Sequence, residues 1–200
     1  MIIFLNGATS SGKTSIAKSI QHLSDIPWLI FGIDTIINML PNKYRFRGEK
    51  AEEGFNFIMD QDQYGPLMSL KVGEFGRAIS NSVSDVACLL DKKGFNIIID
   101  DVLFGDESLR NYVEKLAESS VYFVGVHCDK KILEEREILR GDRFIGSGRD
   151  QMNRCHSSTR KYDIEVDTTH SSSFDCAKEI LDFVAKEHNP QGFKILKKML

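Results

Sequence analysis

One eight-residue segment near the start of the chain constrains the fold more than any other feature. The segment GATSSGKT, from Gly7 to Thr14, fits the pattern G-x-x-x-x-G-K-[ST] at every fixed position. It lies between an apolar run at residues 2–5 and a stretch with helical spacing, the strand-to-helix context that this pattern requires. The segment therefore predicts a loop that binds phosphate through backbone N–H groups and the positive end of the following helix.

Positions within this loop have distinct expected roles. Gly7 and Gly12 permit a tight turn, Lys13 should reach the β- and γ-phosphates, and the Thr14 hydroxyl should ligate Mg²⁺. We expect the Lys13 side chain to face solvent. ATP and Mg²⁺ are the predicted cofactors, and a glycine- and serine-rich turn that fits the pattern by chance is the alternative. The predicted nucleotide-binding residues of the loop are Gly7, Ala8, Thr9, Ser10, Ser11, Gly12, Lys13, Thr14 and Ser15.

Composition excludes several classes of protein. The chain has 200 residues, of which 42% are hydrophobic, so it can bury a full core as one domain. A net charge of -3 leaves no broad basic surface, which argues against a nucleic-acid partner. The four cysteines are scattered singly, as is typical of a reducing compartment. Without a membrane-length apolar run or a secretory signal, we expect a cytoplasmic protein with no membrane partner. Nothing in the sequence indicates an oligomeric state.

Apolar runs alternate with segments of helical periodicity along the chain. This alternation predicts an α/β fold with a parallel sheet covered by helices on both faces, and a ligand crevice at the carboxyl ends of the strands. The predicted strands are residues 2–6, 28–31, 95–99, 121–126 and 164–166, and the apolar runs in the first two are typical of buried strands. The main predicted helices are residues 35–40, 72–90, 107–116, 130–139 and 174–185, and Asp129 should cap the fourth.

Three segments stand apart from this pattern. Residues 41–71 mix glycine, proline and aromatic residues, so we expect a substrate-binding insertion with little regular structure. The glycine- and arginine-rich residues 141–160 are typical of a mobile lid. Residues 1–187 should form the main domain, and residues 188–200 a tail whose apolar face favours a docked helix or an oligomer contact over a membrane anchor.

Aspartates follow two predicted strands and should gather at one edge of the sheet. Asp100 and Asp101 end an apolar strand, the usual position of a carboxylate that holds Mg²⁺, and we favour Asp100 for this role. Both could instead be turn or capping residues. Asp34 could accept the proton of an acceptor hydroxyl, or cap the helix that begins at Thr35, and the residues alone favour neither.

Three arginines are spaced by four and three residues. Arg136, Arg140 and Arg143 would lie on one side of a helix and its frayed end, where they could neutralise a transferring phosphoryl group. The alternative is a solvated face paired with the glutamates interleaved between positions 134 and 137. The glycine-rich segment that follows makes the two interpretations equally plausible.

Five segments together resemble the chloramphenicol 3-O-phosphotransferase family. They are GATSSGKT, WLIFGIDTIINMLP, IIIDDVLFG, VGVHCDKKILEEREILRGDR and YDIEVDTTHSSSFDCA, and the resemblance covers the chain from Met1 to about Lys186. It implies a P-loop kinase fold with a five-stranded parallel sheet. It also implies ATP and Mg²⁺ as co-substrates, and transfer of the γ-phosphoryl group to an alcohol.

The resemblance also implies roles for individual residues. It assigns Asp34 as general base, and it assigns the phosphates and the lid to the arginines. The segment that contains Thr168 and Thr169 should border the adenine. The predicted catalytic residues are Lys13, Asp34, Arg136 and Arg140. The predicted nucleotide-binding residues are those of the loop together with Arg136, Arg140, Arg143, Thr168 and Thr169. The predicted metal ligands are Thr14 and Asp100.

The acceptor is the part of the function that the resemblance does not specify. Residues 42–71, where an acceptor pocket would form, match the family poorly. Chloramphenicol, and thus antibiotic inactivation, is the first expectation. A nucleoside, a sugar nucleotide or another metabolite is the alternative acceptor, and a non-catalytic nucleotide-binding protein is a further alternative. A GTPase switch would need an N-K-x-D segment, and the nearest string is NKYR at residues 42–45.

Overall fold

The computed structural model describes residues 1–141 and 144–200, apart from the side chain of Asn153. The strands are β1 (Ile2–Asn6), β2 (Trp28–Phe31), β3 (Arg45–Phe46), β4 (Phe55–Asp62), β5 (Gly65–Val72), β6 (Asn96–Asp101), β7 (Val121–His127) and β8 (Ile164–Asp167). The helices are α1 (Lys13–Leu23), α2 (Ile33–Met39), α3 (Glu74–Lys92), α4 (Asp106–Lys115), α5 (Lys130–Arg140), α6 (Ser147–Cys155), α7 (Ser173–Lys186) and α8 (Gly192–Met199). The five strands and the main helices that the apolar patterns predict are present.

Five of the strands form a central parallel sheet in the order β2-β6-β1-β7-β8. β1 lies in the middle and is buried along its whole length, as its apolar sequence predicts. The expected α/β fold with a five-stranded parallel sheet is therefore confirmed. β2 differs from the expectation of a fully buried strand, because it is an edge strand whose Leu29 is 40% exposed.

Side chains that alternate along β1 fill two separate cores. On one face Phe4 packs with Ile99 and Phe123. On the other face Ile3 and Leu5 pack against residues of α1 and α7. Because both faces are covered, the strands have little freedom to shift in register, and their carboxyl ends form a fixed platform for the loops that follow them.

The prediction of little regular structure in residues 41–71 was wrong. This segment contains β3, β4 and β5, which form a second, three-stranded sheet. β4 and β5 pair as an antiparallel hairpin from Phe55 opposite Val72 to Asp62 opposite Gly65. Gly65 has φ +119°, a conformation that suits glycine. The strands escaped prediction because they are half-exposed and mix apolar with polar residues, so neither expected strand pattern appears clearly.

Two helix starts decide the surroundings of the predicted site. Asp129 caps α5 as predicted, since its side chain accepts a hydrogen bond from Lys131 N. α2 begins earlier than expected, at Ile33, with Gly32 in the capping position. Asp34 therefore lies inside the first turn of α2, and the prediction that it could be the N-cap was wrong. Gly32 is needed because a Cβ there would lie 2.0 Å from the Asp100 carbonyl oxygen.

The C-terminal tail forms helix α8, which docks on the main domain. Phe193 packs its ring against those of Phe4 and Phe123, at centroid distances of 5.9 and 5.3 Å. Asp163 holds the start of the helix by accepting hydrogen bonds from Gln191 N and Gly192 N. The docked helix expected from the apolar face of the tail is thus observed. None of the described helices combines the length and the apolar character that a membrane crossing needs.

The docking of α8 predicts a contrast between two neighbouring residues. Leu196 is fully buried in the core, whereas Ile195 is 43% exposed. We expect Leu196→Ala to lower the free energy of unfolding by about 2–5 kcal/mol, because it leaves a cavity in a packed core. Ile195→Ala should change it by less than about 1 kcal/mol. Urea denaturation of the two variants measures the difference, and equal effects would contradict the docking of this helix in the core.

Candidate active site

The loop between β1 and α1 adopts the shape of a phosphate cradle. Gly12 has φ +95°, and Ser10 also has a positive φ of 60°. Gly7 passes so close to β7 that an added Cβ would lie 2.4 Å from the Val126 carbonyl oxygen. The loop leads directly into α1, whose first N–H groups have no partner within the helix. The two glycines are thus required by the backbone, as the sequence pattern predicts.

Lys13 does not face solvent, which corrects our expectation. It is only 7% exposed, and its Nζ donates hydrogen bonds to the carbonyl oxygens of Gly7 (2.8 Å) and Ala8 (3.0 Å). Nζ also lies 3.8 Å from Asp100 Oδ1. The long side chain folds back over the loop because nearby carbonyls and a carboxylate satisfy its charge. The ammonium group therefore sits inside the cradle rather than in solvent.

The surroundings of two serine hydroxyls in the loop bear on whether phosphate fits there. Ser10 Oγ and Ser11 Oγ are buried, and neither has a hydrogen-bond partner among the described residues. Buried hydroxyl groups rarely stay unbonded, because losing their water contacts costs free energy. Ser10 also lines the cavity, so its hydroxyl beside a lysine ammonium and a helix N-terminus matches an anionic ligand with several acceptor oxygens. The loop therefore fits the phosphates of a nucleotide.

Thr14 and Asp100 meet although they are far apart in sequence. Thr14 Oγ1 donates a hydrogen bond of 2.5 Å to Asp100 Oδ2. The neighbouring Asp101 is differently placed, since its oxygens accept from Tyr112 Oη at 2.5 Å and from Val102 N at 2.7 Å. Burial raises the pKa of Asp101 to about 6, although these hydrogen bonds oppose the shift. A hydroxyl beside a carboxylate suits Mg²⁺, which keeps several waters and takes further oxygens from phosphate.

A single cavity of about 520 Å³ extends from this loop across the carboxyl edge of the sheet. Asp34 lines it from α2, and Arg140 lines it from the end of α5. The far wall is aromatic, with Phe57 at 5.6 Å from the Phe46 ring and 4.8 Å from the Phe144 ring. The second sheet supplies most of this wall, which the sequence analysis expected only as an irregular substrate-binding segment.

The predicted arginines occupy different places. Arg136 does not line the cavity; its guanidinium donates to Thr168 Oγ1 at 2.9 Å and to Thr168 O at 2.7 Å. Thr168 Oγ1 in turn donates to Ser11 O at 2.8 Å, which connects α5, the segment after β8 and the phosphate loop. Thr169 lies beside the start of α5, where its hydroxyl accepts from Asp129 N. Arg143 lies outside the described residues.

Two of the interleaved glutamates have described partners other than the predicted arginines. Glu134 binds Arg149 at 2.5 Å. Glu137 is buried and accepts from the backbone N–H groups of Gly146 and Gly148, at the start of α6. Burial raises the pKa of Glu137, although these two hydrogen bonds oppose the shift. Glu134 and Glu137 thus fix the first turn of α6 to α5.

Helix α6 contacts both the phosphate loop and the hairpin, which the sequence analysis missed. Gln151 Oε1 accepts from Thr9 N at 2.7 Å. Arg149 donates to Asp62 at 2.8 Å and to Pro66 O at 2.6 Å, in addition to its bond with Glu134. The contacts with Thr9, Asp62 and Pro66 join residues that are 83 to 142 positions apart in sequence, so no local pattern could have revealed them. The β4–β5 hairpin and α6 are therefore linked through one arginine.

This link predicts a specific loss of stability. Arg149→Met leaves two carboxylates without their cation, and the arginine side chain is only 10% exposed. We expect the free energy of unfolding to fall by roughly 2–4 kcal/mol. This loss is smaller than that for a fully buried ion pair, because both acids are partly exposed. Arg154→Met, which removes an exposed pair with Asp150 on the same helix, should cost under about 1 kcal/mol. Denaturant unfolding of both variants tests this, and similar losses would contradict a structural link at Arg149.

Comparison with known proteins agrees with this fold and this site. Residues 1–185 match the family model described as chloramphenicol phosphotransferase-like protein. A Mycobacterium tuberculosis protein named as a proposed O-phosphotransferase is 29% identical over 208 residues, which cover 98% of this chain and 88% of that protein.

Two solved kinases share the fold at low sequence identity. The M. tuberculosis APS kinase CysC, solved in complex with AMPPNP and APS, has a TM-score of 0.63 and 16% identity, covering 92% of this chain and 96% of its own. Shikimate kinase from Aquifex aeolicus has a TM-score of 0.53 and 18% identity, covering 93% and 97%. The fold is therefore that of P-loop kinases. The chain belongs to the chloramphenicol phosphotransferase-like family and is a phosphotransferase.

Proposed function

We propose that this protein is an ATP- and Mg²⁺-dependent kinase that transfers the γ-phosphoryl group to a hydroxyl of a small molecule. The observation that carries the proposal is the contact between Thr14 and Asp100, at 2.5 Å, directly beside the Lys13 ammonium. A hydroxyl, a carboxylate and a lysine in this arrangement form the metal and phosphate end of a P-loop kinase site. A fortuitous glycine-rich turn would have no reason to bring these three groups together.

Each residue of the site has a role that follows from its position. The loop and Lys13 hold the phosphates, and Thr14 with Asp100 would hold Mg²⁺. Bound ATP supplies the phosphoryl group, and Mg²⁺ neutralises charge on its oxygens. Arg140, which lines the same cavity, contributes a further positive charge near the transferring group. Arg136 anchors the segment around Thr168, where the base would bind, and so acts on nucleotide position.

Asp34 is the proposed general base. Asp34 lines the cavity from the first turn of α2. Gly32 occupies the N-cap position of this helix, so helix capping does not account for the Asp34 carboxylate. A base must lie within reach of the acceptor hydroxyl, and Asp34 faces the cavity that also contains the phosphate loop. It would accept the proton of the hydroxyl as the oxygen attacks the phosphoryl group.

The walls of the cavity indicate what kind of alcohol fits. Phe46, Phe57 and Phe144 give it an aromatic side, whereas Arg77 and Asn81 from α3 give it a polar side. A compact molecule with a flat apolar part and several polar groups matches these walls. Chloramphenicol is the first acceptor to test, and phosphorylation would inactivate it as an antibiotic. A nucleoside, a sugar nucleotide or another metabolite with the same features is the second candidate.

The four cysteines are free in the structure, which supports our proposal of a reducing, cytoplasmic location. In such a compartment ATP and Mg²⁺ are both available as co-substrates.

The direct test is ADP release from ATP across a panel of small alcohols, with and without chloramphenicol, followed by mass determination of the product. We expect one class of alcohol to stimulate ADP release and to gain a phosphoryl group. Lys13→Ala should abolish the stimulated activity, because no other side chain of the loop supplies an ammonium to the phosphates. ATP binding without any stimulated turnover would instead indicate a nucleotide-binding protein. Normal turnover in Lys13→Ala would contradict the site.

The proposed base generates a separate prediction. Asp34→Asn should keep its affinity for the ATP analogue AMPPNP but lose acceptor phosphorylation by about two orders of magnitude or more. Calorimetric binding and single-turnover kinetics separate the two effects. Asp85→Asn is the matched control. It removes an exposed carboxylate on α3 that pairs with Lys115, and the variant should retain full activity. An Asp34→Asn variant with near-normal turnover would mean that another group accepts the proton.

A further inference from the structure

Ser147, the first residue of α6, carries a hydroxyl that the proposed mechanism does not yet use. It is 4% exposed, it lines the main cavity, and its Oγ has no hydrogen-bond partner among the described residues. A buried hydroxyl without a partner costs free energy in the folded protein. This makes Ser147 comparable to Ser10, which lines the same cavity from the phosphate loop and is also unbonded.

Ser84 shows how a buried serine hydroxyl is satisfied by protein partners in this chain. Ser84 is fully buried on α3, and its hydroxyl donates to Asn81 O at 2.8 Å and accepts from Asn111 at 2.8 Å. Ser84 does not line the cavity. Of the four buried serines among the described residues, Ser84 alone satisfies its hydroxyl within the protein; Ser10, Ser11 and Ser147 do not, and of these Ser10 and Ser147 line the cavity.

The backbone donors around Ser147 are already in use. Glu137 accepts from Gly146 N and Gly148 N, and Ser147 N donates to Phe144 O at 3.2 Å. The buried Glu137 carboxylate thus already compensates the partial positive charge at the N-terminus of α6. Among the described polar groups of this turn, the Ser147 hydroxyl has no hydrogen-bond partner, so a ligand contact there would be made by the side chain.

The neighbours of Ser147 place it between the two halves of the cavity. Gln151, one turn further along the same face of α6, bonds Thr9 N of the phosphate loop. Phe144, three residues earlier, packs on Phe57 of the aromatic wall at 4.8 Å. Along the chain Ser147 therefore lies between a residue that packs on the aromatic wall and a residue that contacts the phosphate loop, and all three line the cavity.

We propose that the Ser147 hydroxyl donates a hydrogen bond to an oxygen of the γ-phosphoryl group of bound ATP. The inference rests on the proposed kinase function and adds a contact from the lid helix to it. The hydroxyl suits this role because it carries one donor proton, and the γ-phosphoryl oxygens are charged acceptors. Ser147 and Ser10 would then bind the nucleotide phosphates from opposite sides, one from α6 and one from the loop.

The test compares two nucleotides that differ in the γ position. Calorimetry measures the affinities for Mg²⁺–AMPPNP and Mg²⁺–ADP in the intact protein, in Ser147→Ala and in Ser147→Cys, which keeps the volume with a weaker donor. We expect Ser147→Ala to weaken AMPPNP binding by about tenfold, the usual effect of one hydrogen bond to a charged group, and ADP binding by less than about twofold. Ser147→Cys should weaken AMPPNP binding by a smaller factor.

Two controls make the result specific. Ser84→Ala removes a buried serine hydroxyl outside the cavity and should leave both nucleotide affinities unchanged. Thermal melting of each variant shows whether the fold is kept. Equal losses for ADP and AMPPNP, or no loss for either, would overturn the inference. If the unmodified protein binds neither nucleotide, the proposed function itself fails, and the inference fails with it.

Discussion

The structure depends on the parallel register between β1 and β6. This register sets Leu5 opposite Asp100 and Asn6 opposite Asp101, so the loop after β1 begins beside the carboxylates that end β6. Thr14 then reaches Asp100 with a hydrogen bond of 2.5 Å. The register is held by cores on both faces of the sheet, because β1 is buried throughout. Packing far from any ligand therefore fixes the geometry of the proposed metal site.

Beside this edge of the central sheet, the second sheet and α6 close the cavity. The second sheet supplies most of the aromatic wall, and Arg149 joins its β4–β5 hairpin to α6 through Asp62 and the Pro66 carbonyl. Helix α6 also touches the phosphate loop through Gln151. The parts that would recognise the acceptor and those that would recognise phosphate thus share one helix.

Sequence reasoning succeeded where the signal is local and failed where it is not. Buried parallel strands are continuous apolar runs, and the cap at Asp129 depends on neighbouring residues, so both were predictable. The hairpin was missed because half-exposed strands mix polar and apolar side chains. The contact of Gln151 with Thr9 and that of Lys13 with Asp100 depend on how distant segments meet, and no spacing in the sequence encodes them.

The central claim is that Thr14 and Asp100, rather than Asp101, form the metal site at the edge of the sheet. Electron paramagnetic resonance titration of Mn²⁺, used in place of Mg²⁺, with ADP present measures this directly. The account predicts that Asp100→Asn weakens Mn²⁺ binding about tenfold or more, whereas Asp101→Asn changes it by less than about threefold. A large loss in Asp101→Asn with none in Asp100→Asn would contradict the account.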